Sequence, residues 1–115
     1  MSPDTLKVIN GTFAVAGQLD AADMAAVAQA GYKSVIINRP DFEAGPAQPV
    51  SSNVMQAARQ AGLEVAYQPV VSGALTQADV DAFSRLMQTL PQPVLAYCRS
   101  GARCLQLYEL ANTTR

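Results

Sequence analysis

At 115 residues, half of them hydrophobic and with a formal charge of −1, the chain is long enough to bury one core and too short for two domains. Its eight Lys and Arg residues are scattered, which excludes a basic footprint for nucleic acid, and no apolar run approaches the roughly 20 residues of a membrane span. No histidine and only two cysteines exclude a metal-ligand set, imidazole-assisted catalysis and a disulfide framework; no cofactor is implied, and an N-terminus without a signal-peptide pattern makes the cytoplasm the expected compartment.

Residues 6–9 and 12–16 read as two short strands joined by Asn10-Gly11, which predicts an N-terminal hairpin with a type I′ turn. Asp20 is placed to cap a helix running to about Ala30, with Met24, Val27 and Ala28 on one face and Gly31 as its stop. Residues 33–38 form a buried strand. Residues 39–49 hold three prolines and a glycine, which makes them a loop long enough to rim a site.

A second helix starts at Ser51 or Ser52, turns Val54, Ala58 and Ala61 inward and ends at Gly62; residues 63–67 make the next strand and 68–75 a second loop. Thr76 with Asp79 resembles a capping box ahead of a helix that buries Val80, Phe83, Met87 and Leu90 and stops at Pro91 and Pro93. Residues 94–97 are the last strand. It feeds Cys98-Arg99-Ser100-Gly101-Ala102-Arg103 and then a helix carrying Leu105, Leu107, Tyr108, Leu110 and Ala111.

This alternation predicts an α/β fold, a largely parallel central sheet with helices on both faces. In such sheets ligands sit beyond the carboxyl ends of the strands, where the loops starting at Arg39, Gln68 and Cys98 would converge. Cys98 lies between a strand and a helix start. Loop amides, the helix N-terminus and the guanidinium groups of Arg99 and Arg103 there lower a thiol pKa from about 8.5 toward roughly 3.5–7.5. Cys98 is therefore the candidate nucleophile and Arg103 the principal anion ligand, with Arg99, Ser100, Gly101 and Ala102 as the cradle. Cys104 shares a helical face with Leu107, Tyr108 and Ala111, a position for core packing or for a redox partner of Cys98.

The loop Cys98-Arg99-Ser100-Gly101-Ala102-Arg103 resembles the active loop of cysteine-based phosphatases and rhodanese-type sulfurtransferases. Together with Val15-Ala16-Gly17-Gln18, Asn38-Arg39-Pro40 and Tyr67-Gln68-Pro69-Val70, it makes the chain similar over nearly its whole length to the bacterial phosphatase-like domain found fused to beta-lactamase-like sulfur dioxygenases. The resemblance implies one catalytic domain over 1–115 with a cysteine-phosphatase-like fold. Relatives of that kind continue into another helical segment, so the domain is expected to be either cut short or a short natural form.

Four residues separate Cys98 from Arg103, one fewer than in protein phosphatases, and residues 68–75 contain no acid to protonate a leaving oxygen, which leaves Asp41 and Glu43 as general-acid candidates. The first expectation is accordingly a sulfurtransferase, with Cys98 carrying a persulfide between a small anionic sulfur donor and a thiol acceptor, in partnership with a sulfur dioxygenase or a fused domain of that kind. The alternative is a cysteine-dependent phosphatase acting through a Cys98 thiophosphate. A third reading is a non-catalytic redox or anion-binding module. Cys104 stands where such loops carry Ser or Thr, so the expectation is that the hydroxyl able to hydrogen-bond the thiolate is missing.

Overall fold

The computed structural model describes residues 6–113. Strands β1 (Lys7–Asn10) and β2 (Phe13–Ala16) pair antiparallel, and β2 continues into a parallel set with β5 (Val94–Tyr97), β3 (Ser34–Ile37) and β4 (Glu64–Tyr67), giving the order β1-β2-β5-β3-β4. The sheet is thus mixed, mostly parallel with one antiparallel pair. Its middle strands are buried on both faces, which is why β2 and β5 read as unbroken apolar runs and β3 as one after Ser34.

The two-residue period sorts their side chains. Phe13, Val15, Ile36, Val94 and Ala96 pack with Val80 and Phe83 of α3 (Gln77–Thr89) and with Cys104, Leu107 and Ala111 of α4 (Ala102–Thr113). Ala14, Ala16, Val35, Ile37, Leu95 and Tyr97 pack on the opposite side with Met24 and Val27 of α1 (Met24–Gln29) and Val54 and Ala58 of α2 (Ser51–Gln60). Helices therefore cover both faces. Phe13 stacks on Tyr108 at 4.2 Å and meets Phe83 edge-on at 5.9 Å, which fixes α3 and α4 against the hairpin.

Thr76 and Asp79 form the expected capping box. Asp20 caps as expected, but it opens a single 3-10 turn, Ala21–Asp23, before α1 begins, so the α-helical part is shorter than the sequence pattern implies. Gly31 and Gly62 end α1 and α2 with positive φ.

The type I′ turn does not occur. Neither Asn10 nor Gly11 lies in the left-handed region, Asn10 pairs with Phe13, and the register shifts between Val8 and Asn10. The Asn10 Oδ1 instead accepts the Thr12 N–H and hydroxyl, both at 2.8 Å. This local side-chain turn replaces the backbone geometry that Asn-Gly favours.

Candidate active site

Parallel register aligns the strand ends. Ala16 is opposite Tyr97, Tyr97 opposite Ile37, and Ile37 opposite Tyr67, so the residues that follow all leave the sheet at one edge. The three loops expected there converge on a cavity of about 510 Å³, lined by Arg39, Glu43 and Ala44 of the first, Ser72 of the second, and Cys98, Arg99, Ser100, Ala102 and Arg103 of the third.

Cys98 continues the phase of Val94 and Ala96, which sends its side chain toward the first turn of α4. The Cys98 N–H donates to the Ala16 carbonyl at 3.3 Å and the Gln18 N–H to the Arg99 carbonyl at 3.3 Å, tying the loop to the chain after β2. Gly101, at φ +93°, turns its N–H onto the Cys98 sulfur at 3.1 Å. A Cβ at this position would lie 3.4 Å from both the Ala16 carbonyl and the Val15 side chain, on a backbone that L residues rarely adopt.

Cys98 is only 1% exposed but lines the cavity wall, so a nucleophile there is reached through the anion pocket. The Cys104 thiol donates to it and is the largest cause of its acidity. Burial opposes that effect, and the N–H groups of Cys104, Ser100 and Gly101 reinforce it; the net result lowers the Cys98 thiol from 9.0 to about 5. Cys104 moves the other way: burial first, then its hydrogen bond to Cys98 and the charge on that sulfur, hold its thiol well above the ordinary value. The opposite directions favour a thiolate on Cys98 and a thiol on Cys104.

The hydroxyl is indeed absent, and the Cys104 thiol takes its place as the donor to Cys98. It also packs in the core as its helical face implied. Of the expected cradle, Ser100 and Gly101 send N–H groups to the sulfur, whereas Arg99, Ser100 and Ala102 are exposed along the cavity and Gly101 is buried behind it.

Arg103 is only 8% exposed. Its two terminal nitrogens reach both Glu43 oxygens at 3.1 Å, one also donates to the Val70 carbonyl at 2.9 Å, and its buried Nε–H has no acceptor. A bidentate carboxylate thus fixes the guanidinium plane at the cavity wall, with one buried donor unpaired.

The two general-acid candidates have other work. Asp41 does not line the cavity: one carboxylate oxygen accepts the Ser51 N–H and the other the Ser51 hydroxyl, both at 2.7 Å, so it caps α2 from ten residues upstream. Glu43 lines the cavity but is bound by Arg103 and, at 2.9 Å, by Arg39. Hydrogen bonds from Arg103, against some burial, and then from Arg39 hold its carboxyl below the usual range, so it has no proton to give at neutral pH. Asp79 is spent in the α3 capping box.

Asp41→Ala is accordingly expected to cost about 0.5–2 kcal/mol of stability through the lost cap, read by urea unfolding, while turnover per folded molecule stays near that of the parent. A loss of turnover without a loss of stability would make Asp41 an acid after all.

Arg39 is the residue that sequence reasoning passed over. It directly follows the buried strand β3, and a cation in that place is carried to the ligand edge of the sheet, a signal that was available. Its Nε holds Glu43 and its NH1 donates to Gln18 Oε1 at 3.1 Å.

Comparison with known proteins agrees with this geometry. A "Beta-lactamase hydrolase-like protein" from Xylella fastidiosa (strain Temecula1 / ATCC 700964) is 41% identical over 103 residues, 90% of this chain and 24% of the relative, so the chain spans about a quarter of that protein's length. A crystal structure of a phosphatase candidate from Neisseria meningitidis Z2491 superposes with a TM-score of 0.86 at 36% identity, covering 96% of this chain and 78% of that one. Tk-PTP in its active form shares the fold, with a TM-score of 0.68 at 20% identity over 97% of this chain and 82% of its own. These relatives favour the phosphatase alternative over a rhodanese-type sulfurtransferase. With the family model matching residues 5–114, the chain belongs to the phosphatase-like domain family of beta-lactamase hydrolase-like proteins.

Proposed function

We propose that the chain is a cysteine-dependent phosphatase for small phosphate monoesters. The observation that carries this reading is a Cys98 thiolate held at about pKa 5 at the wall of an anion pocket, beside an Arg103 fixed by Glu43 with one donor unused. The thiolate attacks phosphorus, an S–P bond forms, and the P–O bond to the leaving group breaks. Arg103 and the loop amides take up charge on the phosphoryl oxygens. Water then attacks phosphorus, the S–P bond breaks, and inorganic phosphate leaves with the thiolate restored.

Among the described residues, no carboxyl at the cavity is free to protonate the departing oxygen. The reading therefore requires leaving groups that depart as stable anions, such as phenolates. Its test is phosphate release from an aryl phosphate by the parent and by Cys98→Ser.

Sulfane-sulfur transfer, the first expectation from sequence, is kept as a second reading on the same observation, since breaking the S–S bond of thiosulfate releases sulfite and needs no acid. There Cys98 would take the outer sulfur as a persulfide and pass it to a thiol acceptor, with a sulfur dioxygenase partner or fused domain downstream. Sulfite release from thiosulfate that depends on Cys98, without phosphate release from any ester, would select it. A redox role for Cys104 would show as a reversible Cys98–Cys104 disulfide with neither activity.

A further inference from the structure

We propose that Arg39 is a second anion-binding residue of the cavity, and that the substrate is a small molecule carrying another anionic group beside the phosphoryl group that reacts. The proposal rests on the phosphatase reading above and extends it to substrate class.

Arg39 is 8% exposed, lines the cavity, and is immobilised from two sides by Glu43 at Nε and Gln18 at NH1. Among the described residues its remaining terminal nitrogen, NH2, makes no hydrogen bond and is not among the buried atoms without a partner, on a side chain that lines the cavity. Glu43 lies between Arg39 and Arg103 and neutralises one of them. Arg99 adds a third cation at the same wall. A site for a lone phosphoryl group needs one such guanidinium, and a cavity of about 510 Å³ is several times larger than that group fills. The cavity thus holds both more cation and more room than a lone phosphoryl group uses.

A carboxylate or second phosphate placed a few bonds from the reacting phosphorus would therefore meet a guanidinium that is already desolvated and fixed. Little ordering entropy would remain to be lost on binding. A protein phosphotyrosine, whose ring carries no further anion, would leave Arg39 unused.

Calorimetry with the parent at fixed ionic strength compares methylphosphonate, with one anionic group, and methylenebisphosphonate, with two. The bisphosphonate is expected to bind about ten-fold tighter or more, and Arg39→Met, similar in length but uncharged, should shrink that margin by weakening methylenebisphosphonate more than methylphosphonate. The margin in the parent is itself informative, so the proposal stays exposed even if Arg39→Met folds poorly; Arg39→Lys, which keeps charge but not the fork, should retain only part of it.

Equal binding of the two ligands by the parent overturns the proposal, as does a margin that survives undiminished in Arg39→Met or depends on Arg99 instead. In those cases the phosphatase reading stands, because methylphosphonate still binds. Failure of both ligands to bind would remove that reading and this one with it.

Discussion

Cys98→Ser is expected to lower phosphate release from an aryl phosphate by about 10⁴-fold or more, with the fold and anion binding intact. A serine hydroxyl in this collar stays protonated at neutral pH, and among the described residues no base is free to take its proton, since the chain has no histidine and the one carboxylate lining the cavity there, Glu43, is clamped by two arginines. The substitution also removes a negative charge that repels an incoming phosphate. Inorganic phosphate should therefore bind Cys98→Ser at least as tightly as the parent, and this separates a lost nucleophile from a collapsed loop. Turnover that persists within ten-fold would place the nucleophile elsewhere.

Cys104 offers the second large effect because its thiol is the main cause of Cys98 acidity. Cys104→Val fills the same buried space without a donor, so the acid limb of the kcat/KM profile should move upward from about 5 by about one unit or more. The sign follows from which form is stabilised. The donor favours the thiolate, its loss favours the thiol, and the rate falls at pH values between the old and new midpoints while converging with the parent above both. Cys104→Ser keeps a donor and should leave the limb near its original position. A profile unchanged in Cys104→Val would mean that the amides of Ser100, Gly101 and Cys104 suffice alone.

Much of this arrangement was legible in the residues themselves. The alternation of strand and helix, the glycine stops at Gly31 and Gly62, the Thr76–Asp79 box and the placement of Cys98 between β5 and α4 each depend on local chemistry, and local chemistry is what a single sequence carries. The errors arose where a competing bond, local at the hairpin and distant in the site, won over the expected preference. The Asn10 side chain bonded Thr12 and displaced the turn that Asn-Gly favours. Asp41 had no marker of a helix cap, because the helix it serves begins ten residues later. Glu43 looked like a spare acid until the fold set Arg103 beside it from sixty residues away. The short loop and the acid-free segment 68–75 had pointed toward sulfur transfer, whereas the relatives favour the phosphatase alternative, which an arginine held by a carboxylate also suits.

The claim beneath all of these is that one sulfur is ionised at neutral pH and its neighbour is not. Titrating the ultraviolet absorbance of the thiolate in the parent, with Cys98→Ser as the blank, measures this directly. One thiolate appearing with a midpoint near 5, and absent from Cys98→Ser, is the predicted result. A first midpoint near 9, or an early midpoint that persists in Cys98→Ser, would contradict it.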